Sequence, residues 1–427
     1  MQAWEKIKKI WKLKDLRYKI LFVFAMLVIF RAIAAIPVPG VDTSRLQMFF
    51  DSNQLFGLIN VFSGAGMDNF SLVMMGVGPY ITSSIVMQLM TVIIPAVEKW
   101  HREEGEIGRR KFQQVTRILS VPFALIQSYG MIALLKNQNV ITDLGNFELA
   151  RTIIIVTAGT MLLMWIGELI TEKGIGNGVS LIIFAGIIAS IPGATKQAIA
   201  TWDPSQIFSY MIFGAVSLLV IAGVVFITEG QRNIPVTYAR RVSGRGMVSS
   251  SSYLPLRVNQ AGVIPIIFAL SILLFPRMIA NVLEVASSEK VKDIAIRVSA
   301  FLQDQWVYGI MYFLLVVAFT FFYTTVTFEP TKVSENLQKQ GGYVPGVRPG
   351  RSTAEYLQKI LNRITLAGAL FLATIAVLPY VVQGFTHIQS VSIGGTSLLI
   401  AVSVALDSMK QIDSQLVMRD YDGFLKG

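Results

Sequence analysis

The chain of 427 residues has no cysteine and only two histidines, His101 and His387. That absence excludes disulfides, thiolate metal sites and cysteine nucleophiles. Both histidines fall in segments read as loops, so a histidine-based catalytic or metal cluster is not expected either. Charge is scarce as well. Charged residues make up 15% of the chain, against about a quarter in soluble domains. No G-x-x-x-x-G-K-[ST] phosphate loop and no H-E-x-x-H pair occurs, so nucleotide hydrolysis and zinc chemistry lack their usual carriers. No enzyme activity and no cofactor is expected.

What fills the chain is apolar. Hydrophobic residues reach 53%, and the mean hydropathy is +0.58. A hydrocarbon core about 30 Å thick takes roughly 20 apolar residues per helix, and ten segments approach or reach that length. They are Leu16–Ile36, Phe70–Ile94, Val115–Leu135, Thr152–Ile170, Gly178–Ile191, Ile207–Thr228, Val258–Ile279, Val307–Phe328, Ile364–Val382 and Ile393–Met409. The fifth is short and meets Pro192-Gly193, beyond which it can run on toward Ala200. All are apolar around the whole circumference, unlike amphipathic surface helices. They are about twice the length of a barrel strand and lack its alternation. The expected fold is an all-α integral membrane protein of ten transmembrane helices.

The net charge of +11 is explained by where it sits. The amino-terminal tail and the connections 98–117, 229–257 and 329–363 are rich in Lys and Arg, while 37–69, 137–150 and 384–395 hold almost none. Basic connections stay in the cytoplasm, which places both termini there. The basic start runs into the first apolar segment with no evident cleavage pattern, so it reads as a tail and not a removable signal. The connections 229–257 and 329–363 far exceed the roughly two to eight residues that join helix hairpins. They carry Arg240, Arg241, Arg348 and Arg351 among others, which fits docking of a large partner better than orientation alone.

Three further features stand out. Residues 55–67 are apolar but too short to span, so they bury themselves as a re-entrant piece or lie on the membrane surface. Ile81 and Ile85 are four apart and share a helix face, as do Ile183 and Ile187; Ile264 and Ile267 are three apart. Gln88, Gln127 and Asn259 are amides in apolar surroundings and need partners on neighbouring helices. Arg31, Glu168 and Asp407 are the ionisable residues singled out within the apolar segments, fewer than an ion-coupled transporter normally uses. Two other classes stay open: a secondary transporter with inverted repeats, which needs polar groups at mid-membrane, and an insertase or scaffold with a gate but no continuous pore.

Seven segments in order resemble the SecY/Sec61α translocon channel family over essentially the whole chain. These are Phe30-Arg31 with Ile36-Pro37-Val38-Pro39-Gly40-Val41-Asp42; Gly78-Pro79-Tyr80-Ile81-Thr82-Ser83-Ser84-Ile85; and Gly105-Glu106-Ile107-Gly108-Arg109-Arg110-Lys111. Next come Gly174-Ile175-Gly176-Asn177-Gly178; Val258-Asn259-Gln260-Ala261-Gly262-Val263-Ile264-Pro265; Tyr343-Val344-Pro345-Gly346-Val347-Arg348-Pro349-Gly350; and Gly394-Gly395-Thr396-Ser397-Leu398-Leu399-Ile400.

The resemblance implies two inverted five-helix halves, residues 1–200 and 201–427, around a central pore for unfolded secretory polypeptides. Ile81, Ile85, Ile183, Ile187, Ile267 and Ile400 then fall on the pore ring, with Ile264 beside it. The short apolar segment falls on the plug, including Gly57, Asn60, Phe62, Gly64 and Gly66. Thr91, Gln127 and Asn259 fall on the polar cluster of a lateral gate between the second and seventh spans. Arg348, supported by Arg240, Arg241 and Arg351, falls on the docking surface for the SecA motor or the ribosome. The family further implies the small membrane subunits SecE and SecG, signal sequences and preproteins as substrates, and the bacterial inner (cytoplasmic) membrane as location.

Overall fold

A computed structural model describes residues 8, 10–38, 70–102, 104–137, 145–200, 207–241, 247–283, 289–386 and 394–425. The plug assignment, with Gly57, Asn60, Phe62, Gly64 and Gly66, lies outside the described residues, as does His387. The other histidine, His101, lies in a short helix and not in a loop.

Each of the ten apolar segments falls on a helix. In chain order they are α1 (Lys14–Ala34), α2 (Gly78–Ile93), α4 (Gly105–Asn137), α5 (Asn146–Lys173), α6 (Gly178–Ala200), α7 (Ile207–Glu229), α8 (Ile264–Leu283), α10 (Gln305–Thr327), α12 (Arg351–Thr386) and α13 (Gly394–Leu425). Between them lie α3 (Pro95–Arg102), α9 (Glu289–Gln303) and α11 (Pro330–Lys339). Stretches of α4, α5, α10 and α12 are long and apolar enough to cross a membrane, and α2, α6, α7 and α8 hold shorter apolar runs. Pro122, Pro192 and Pro276 sit inside α4, α6 and α8. Membrane helices tolerate such interruptions where the freed backbone groups are satisfied in other ways, and α6 runs through Pro192-Gly193 to Ala200.

The Gly174-Ile175-Gly176-Asn177-Gly178 turn shows why its glycines are needed. Gly176 has φ +91°, and a side chain on Gly178 would strike the backbone of Gly167. Here α5 and α6 meet backbone to backbone. Asn177 starts α6, its Oδ1 accepting from Ser180 N at 3.2 Å, an N-cap. Gly176 N donates to Gln411 Oε1 of α13 at 2.8 Å, tying the turn to a helix far along the chain.

Residues Pro37 and Ser71 form a β-bridge. Val38 N donates to Phe70 O at 2.9 Å and Leu72 N to Ile36 O at 3.1 Å. Val38 and Phe70 belong to a satellite core with Met74, Met131, Ile132 and Val156, so the chain leaves and rejoins the described structure at one anchored point.

The two long basic connections contain strands, which the sequence reading did not anticipate. β1 (Gln231–Arg241) and β2 (Met247–Arg257) form an antiparallel hairpin in register from Gln231↔Arg257 to Arg241↔Met247. β3 (Gly342–Tyr343) joins the free side of β1 at Thr237 and Tyr238. Pro235 falls in the part of β1 that β3 does not reach, and Pro255 in an edge strand, where a missing N–H is tolerated. Ile234, Val236 and Leu256 pack with Leu337 of α11, Val344 and Leu357 of α12. Two connections separated by three helices thus make one small α/β module. Its signal was present as alternation at Ile234-x-Val236-x-Tyr238 and Leu254-x-Leu256, on either side of Ser243-Gly244-Arg245-Gly246.

Candidate functional site

A cavity of about 870 Å³ opens among α2, α4, α5, α6, α8 and α10. Five of them contribute a stripe at helical spacing: Ile81, Ser84 and Gln88 from α2; Arg110, Gln113, Gln114 and Arg117 from α4; Glu168, Thr171 and Glu172 from α5; Val179, Ser180 and Ile183 from α6; Ile264, Ile267 and Phe268 from α8; α10 contributes Tyr323. The charged members lie in the amino-terminal part of α4 and the carboxy-terminal part of α5. Ile81, Ile183 and Ile267 lie deeper along their helices, so the cavity is a funnel with a polar wall and an apolar floor.

All six isoleucines expected on a ring are buried: Ile81, Ile85, Ile183, Ile187, Ile267 and Ile400. They come from α2, α6, α8 and α13 and share one apolar cluster, with Ile264 packed against it. The cluster also holds Phe30, Leu163, Tyr312 and Leu399 among others, so burial alone does not single out the six. Isoleucine side chains have few rotamers and no hydrogen-bonding groups.

The funnel wall answers where the intramembrane charges go. Arg117 Nε donates to Glu168 Oε1 at 2.6 Å, with the two side chains 44% and 22% exposed. A pair this exposed contributes at most about 1 kcal/mol; its main effect is to cancel two opposite charges on the wall. Arg117 was not singled out from sequence, although the Arg110, Gln113, Gln114, Arg117 spacing marks a polar stripe on an otherwise apolar helix. Arg31 stands in the last turn of α1, where a cation complements the helix dipole.

A second cavity, of about 410 Å³, adjoins the first through shared Asn177, Ser180, Ile264 and Tyr323. Asp407, Arg257, Asn259, Ser403 and Lys410 line it. Lys410 Nζ pairs with Glu229 Oε1 at 2.9 Å and donates to Thr228 O at 3.3 Å. Asn259 Oδ1 and Ser403 Oγ are buried without a hydrogen-bond partner among the described residues. Both residues line this cavity.

The three residues expected to bond across a gate have separate partners. Gln127 Nε2 of α4 donates to Thr82 Oγ1 of α2 at 3.2 Å. Thr91 Oγ1 donates within its own helix to Gln88 O at 2.6 Å. Asn259 Nδ2 donates to Gly262 O at 3.3 Å and closes the turn that starts α8. Asn259 precedes the helix, and its amide is used locally, so it does not reach Gln127. α8 does pack on both α2 and α4.

On the α/β module, Arg348 is exposed in a turn between Gly346 (φ +81°) and Gly350 (φ +94°). Thr353 Oγ1 donates to the Arg348 carbonyl at 2.8 Å, which fixes the backbone and leaves the guanidinium outside. Arg351 pairs with Glu355 at 3.1 Å, both exposed. Arg240 and Arg241 end β1, opposite Val248 and Met247; their side chains lie outside the described residues.

Comparison with known proteins fits this geometry. The SecY family model matches residues 71–409. A protein translocase subunit SecY of Mycobacterium leprae is 43% identical, over 96% of this chain and 97% of the relative. One of Halalkalibacterium halodurans is also 43% identical, over 98% and 99%. Among solved structures, that of a protein conducting channel aligns with a TM-score of 0.63 at 18% identity, covering 92% of this chain and 90% of its own. At that identity it supports the fold alone.

Proposed function

The chain belongs to the SecY family, and from that premise we propose that it forms the pore of a protein translocase in a bacterial cytoplasmic membrane. The halves are residues 1–200 and 201–427, and both termini and the α/β module face the cytoplasm, as the basic connections require. Unfolded secretory chains enter the funnel and cross a neck formed by Ile81, Ile85, Ile183, Ile187, Ile267 and Ile400. Hydrophobic segments leave sideways between α2 and α8. Gly57, Asn60, Phe62, Gly64 and Gly66 belong to a plug beneath the neck, and Thr91, Gln127 and Asn259 set the polar character of the gate region.

The observation that carries this reading is a buried apolar cluster that holds all six isoleucines, three of which, Ile81, Ile183 and Ile267, also line the polar-walled cavity. An apolar constriction gates by excluding water. It makes no hydrogen bond with a passing chain, so sealing and sliding are compatible. The chain has no phosphate loop of its own, so the work of transport comes from a motor such as SecA or from a translating ribosome. Arg348 and its neighbours serve as the docking face, because a planar guanidinium pairs bidentately with carboxylate or phosphate. SecE and SecG complete the complex. A secondary transporter is not favoured by a funnel floor made of isoleucine.

Replacing Ile400 with Asn tests the neck. Vesicles containing the variant are expected to show raised resting ion conductance and to accept preproteins with weaker signal sequences. Unchanged conductance in a correctly inserted variant rejects the neck assignment.

A further inference from the structure

Helix α9 joins α8 to α10 at the end opposite the sheet, since α8 runs away from β2 and α10 returns toward β3. Successive helical residues turn by about 100°, which sets off three arcs on α9, with exposed Lys292, Ile296 and Ala300 on the remaining side. Ala295, Ser299 and Leu302 form one and are buried where α9 packs on α8 and α10. Glu289, Lys290, Asp293 and Arg297 form another; Asp293 and Arg297 are paired at 3.1 Å and exposed. Between them runs a third arc of Val291, Ile294, Val298 and Phe301, spaced three and four apart. These are 36%, 62%, 39% and 58% exposed. A stripe of this kind in water would be costly, and nothing in topology requires it.

The neighbouring helix says what covers it. α9 ends at Gln303 and α10 begins at Gln305, with Asp304 between them accepting from Trp306 N and Val307 N at 2.9 and 3.0 Å. The first exposed face of α10 is Trp306, Ile310 and Leu314, at 67%, 61% and 60%, a four-residue spacing that turns one apolar face to lipid. Trp at a helix end marks the membrane–water boundary. The α9 stripe therefore begins beside that boundary and is continuous with a lipid-facing surface, with charge on its other edge.

We propose that α9 is a membrane-surface helix, with Val291, Ile294, Val298 and Phe301 sunk among lipid at the face opposite the sheet, holding the far end of α8 in place. The inference rests on the reading that α10 crosses the bilayer. Interfacial helices of this type bury an apolar face at the headgroup boundary while charged residues stay in water. α8 borders the proposed exit seam, so a fixed far end makes α8 pivot and not slide when the seam opens.

The absence of cysteine makes the test direct. Ile294→Cys, Val298→Cys and Phe301→Cys, with Glu289→Cys and Asp293→Cys for contrast, receive a nitroxide in the otherwise unaltered chain. Each variant is assembled with its partner subunits in phospholipid vesicles. Collision rates with oxygen, which concentrates in lipid, and with a water-soluble nickel chelate are then compared. Oxygen is expected to dominate at 294, 298 and 301, and the chelate at 289 and 293. High chelate access at all five positions would overturn the proposal, leaving α9 in water. Low access to both reagents at 294, 298 and 301 would overturn it too, because another protein chain covers the stripe. Preprotein transfer by the same vesicles is scored separately, so failure of the surface helix is distinguishable from failure of the channel reading.

Discussion

The buried isoleucine cluster and the α/β module are both held by buried aliphatic side chains, but their sequences announce it very differently. In the module, burial follows pattern. Ile234 and Val236 alternate with exposed residues along β1, and Leu256 answers from β2. Water surrounds this part, so an apolar residue there signals an inside. In the membrane helices the same rule fails. Leu218 and Leu219 of α7 are each 70% exposed while Ile183 of α6 is fully buried, and nothing in their hydrophobicity separates them. Lipid tails are as apolar as leucine, so hydrophobicity there reports the solvent and not the interior.

Functional and structural perturbations should separate the two regions. The largest effect is expected from Arg348→Glu on the module. It should abolish most stimulation of motor ATPase by channel vesicles while resting conductance stays normal, the reverse of the Ile400→Asn outcome. Arg348→Lys should retain charge yet lose much of the stimulation. Full stimulation by the Glu variant would reduce the basic turn to a topology signal.

Next comes Leu357→Ala, at a fully buried site in the module. Large-to-small changes in a water-surrounded core cost about 2–5 kcal/mol. The expected readout is faster proteolysis of the hairpin with all spans still inserted. Ile183→Ala in the isoleucine cluster deletes similar volume, but the transfer term is absent in lipid and only the packing term remains. Its cost should lie nearer 1–2 kcal/mol by that argument, seen as a modest drop in the denaturant midpoint of the reconstituted chain. Equal losses at the two sites would contradict the contrast drawn here.

Gln127→Leu removes the bond from α4 to Thr82 of α2. Interhelical bonds of this kind contribute about 0.6 kcal/mol on average, so the variant should shift the signal hydrophobicity needed for transport only slightly, measured across a graded signal series. The smallest effect belongs to Leu218→Ala, a lipid-facing change that should leave both denaturant midpoint and transport within error. A loss comparable to that of Ile183→Ala would mean a protein neighbour covers α7.

Part of the packing was legible in advance, for specific reasons. Ile81 with Ile85 and Ile183 with Ile187 share faces because four residues make about one helical turn, and both pairs are buried. The amides were legible only as residues needing partners. Asn259 takes a backbone carbonyl three residues on, and Gln127 takes a hydroxyl, Thr82, that no sequence rule connects to it. The Arg117–Glu168 pair was missed because its partners are fifty-one positions apart, and separate stripes carry no record of which will face which.

By itself the sequence determined the solvent: long apolar segments, few charges, and basic residues gathered in alternate connections fix a multi-helix membrane protein. Local chemistry also settled the turn at Gly174–Gly178, where only glycine allows the backbone approach. Tertiary structure decided which faces meet. It placed isoleucines from four helices in one cluster and folded two distant basic connections into one module. It also laid the exposed apolar stripe of α9 next to the exposed apolar face of α10. The reason is that periodicity acts over one or two turns, whereas convergence depends on packing between segments hundreds of residues apart, in a solvent where inside and outside are equally apolar.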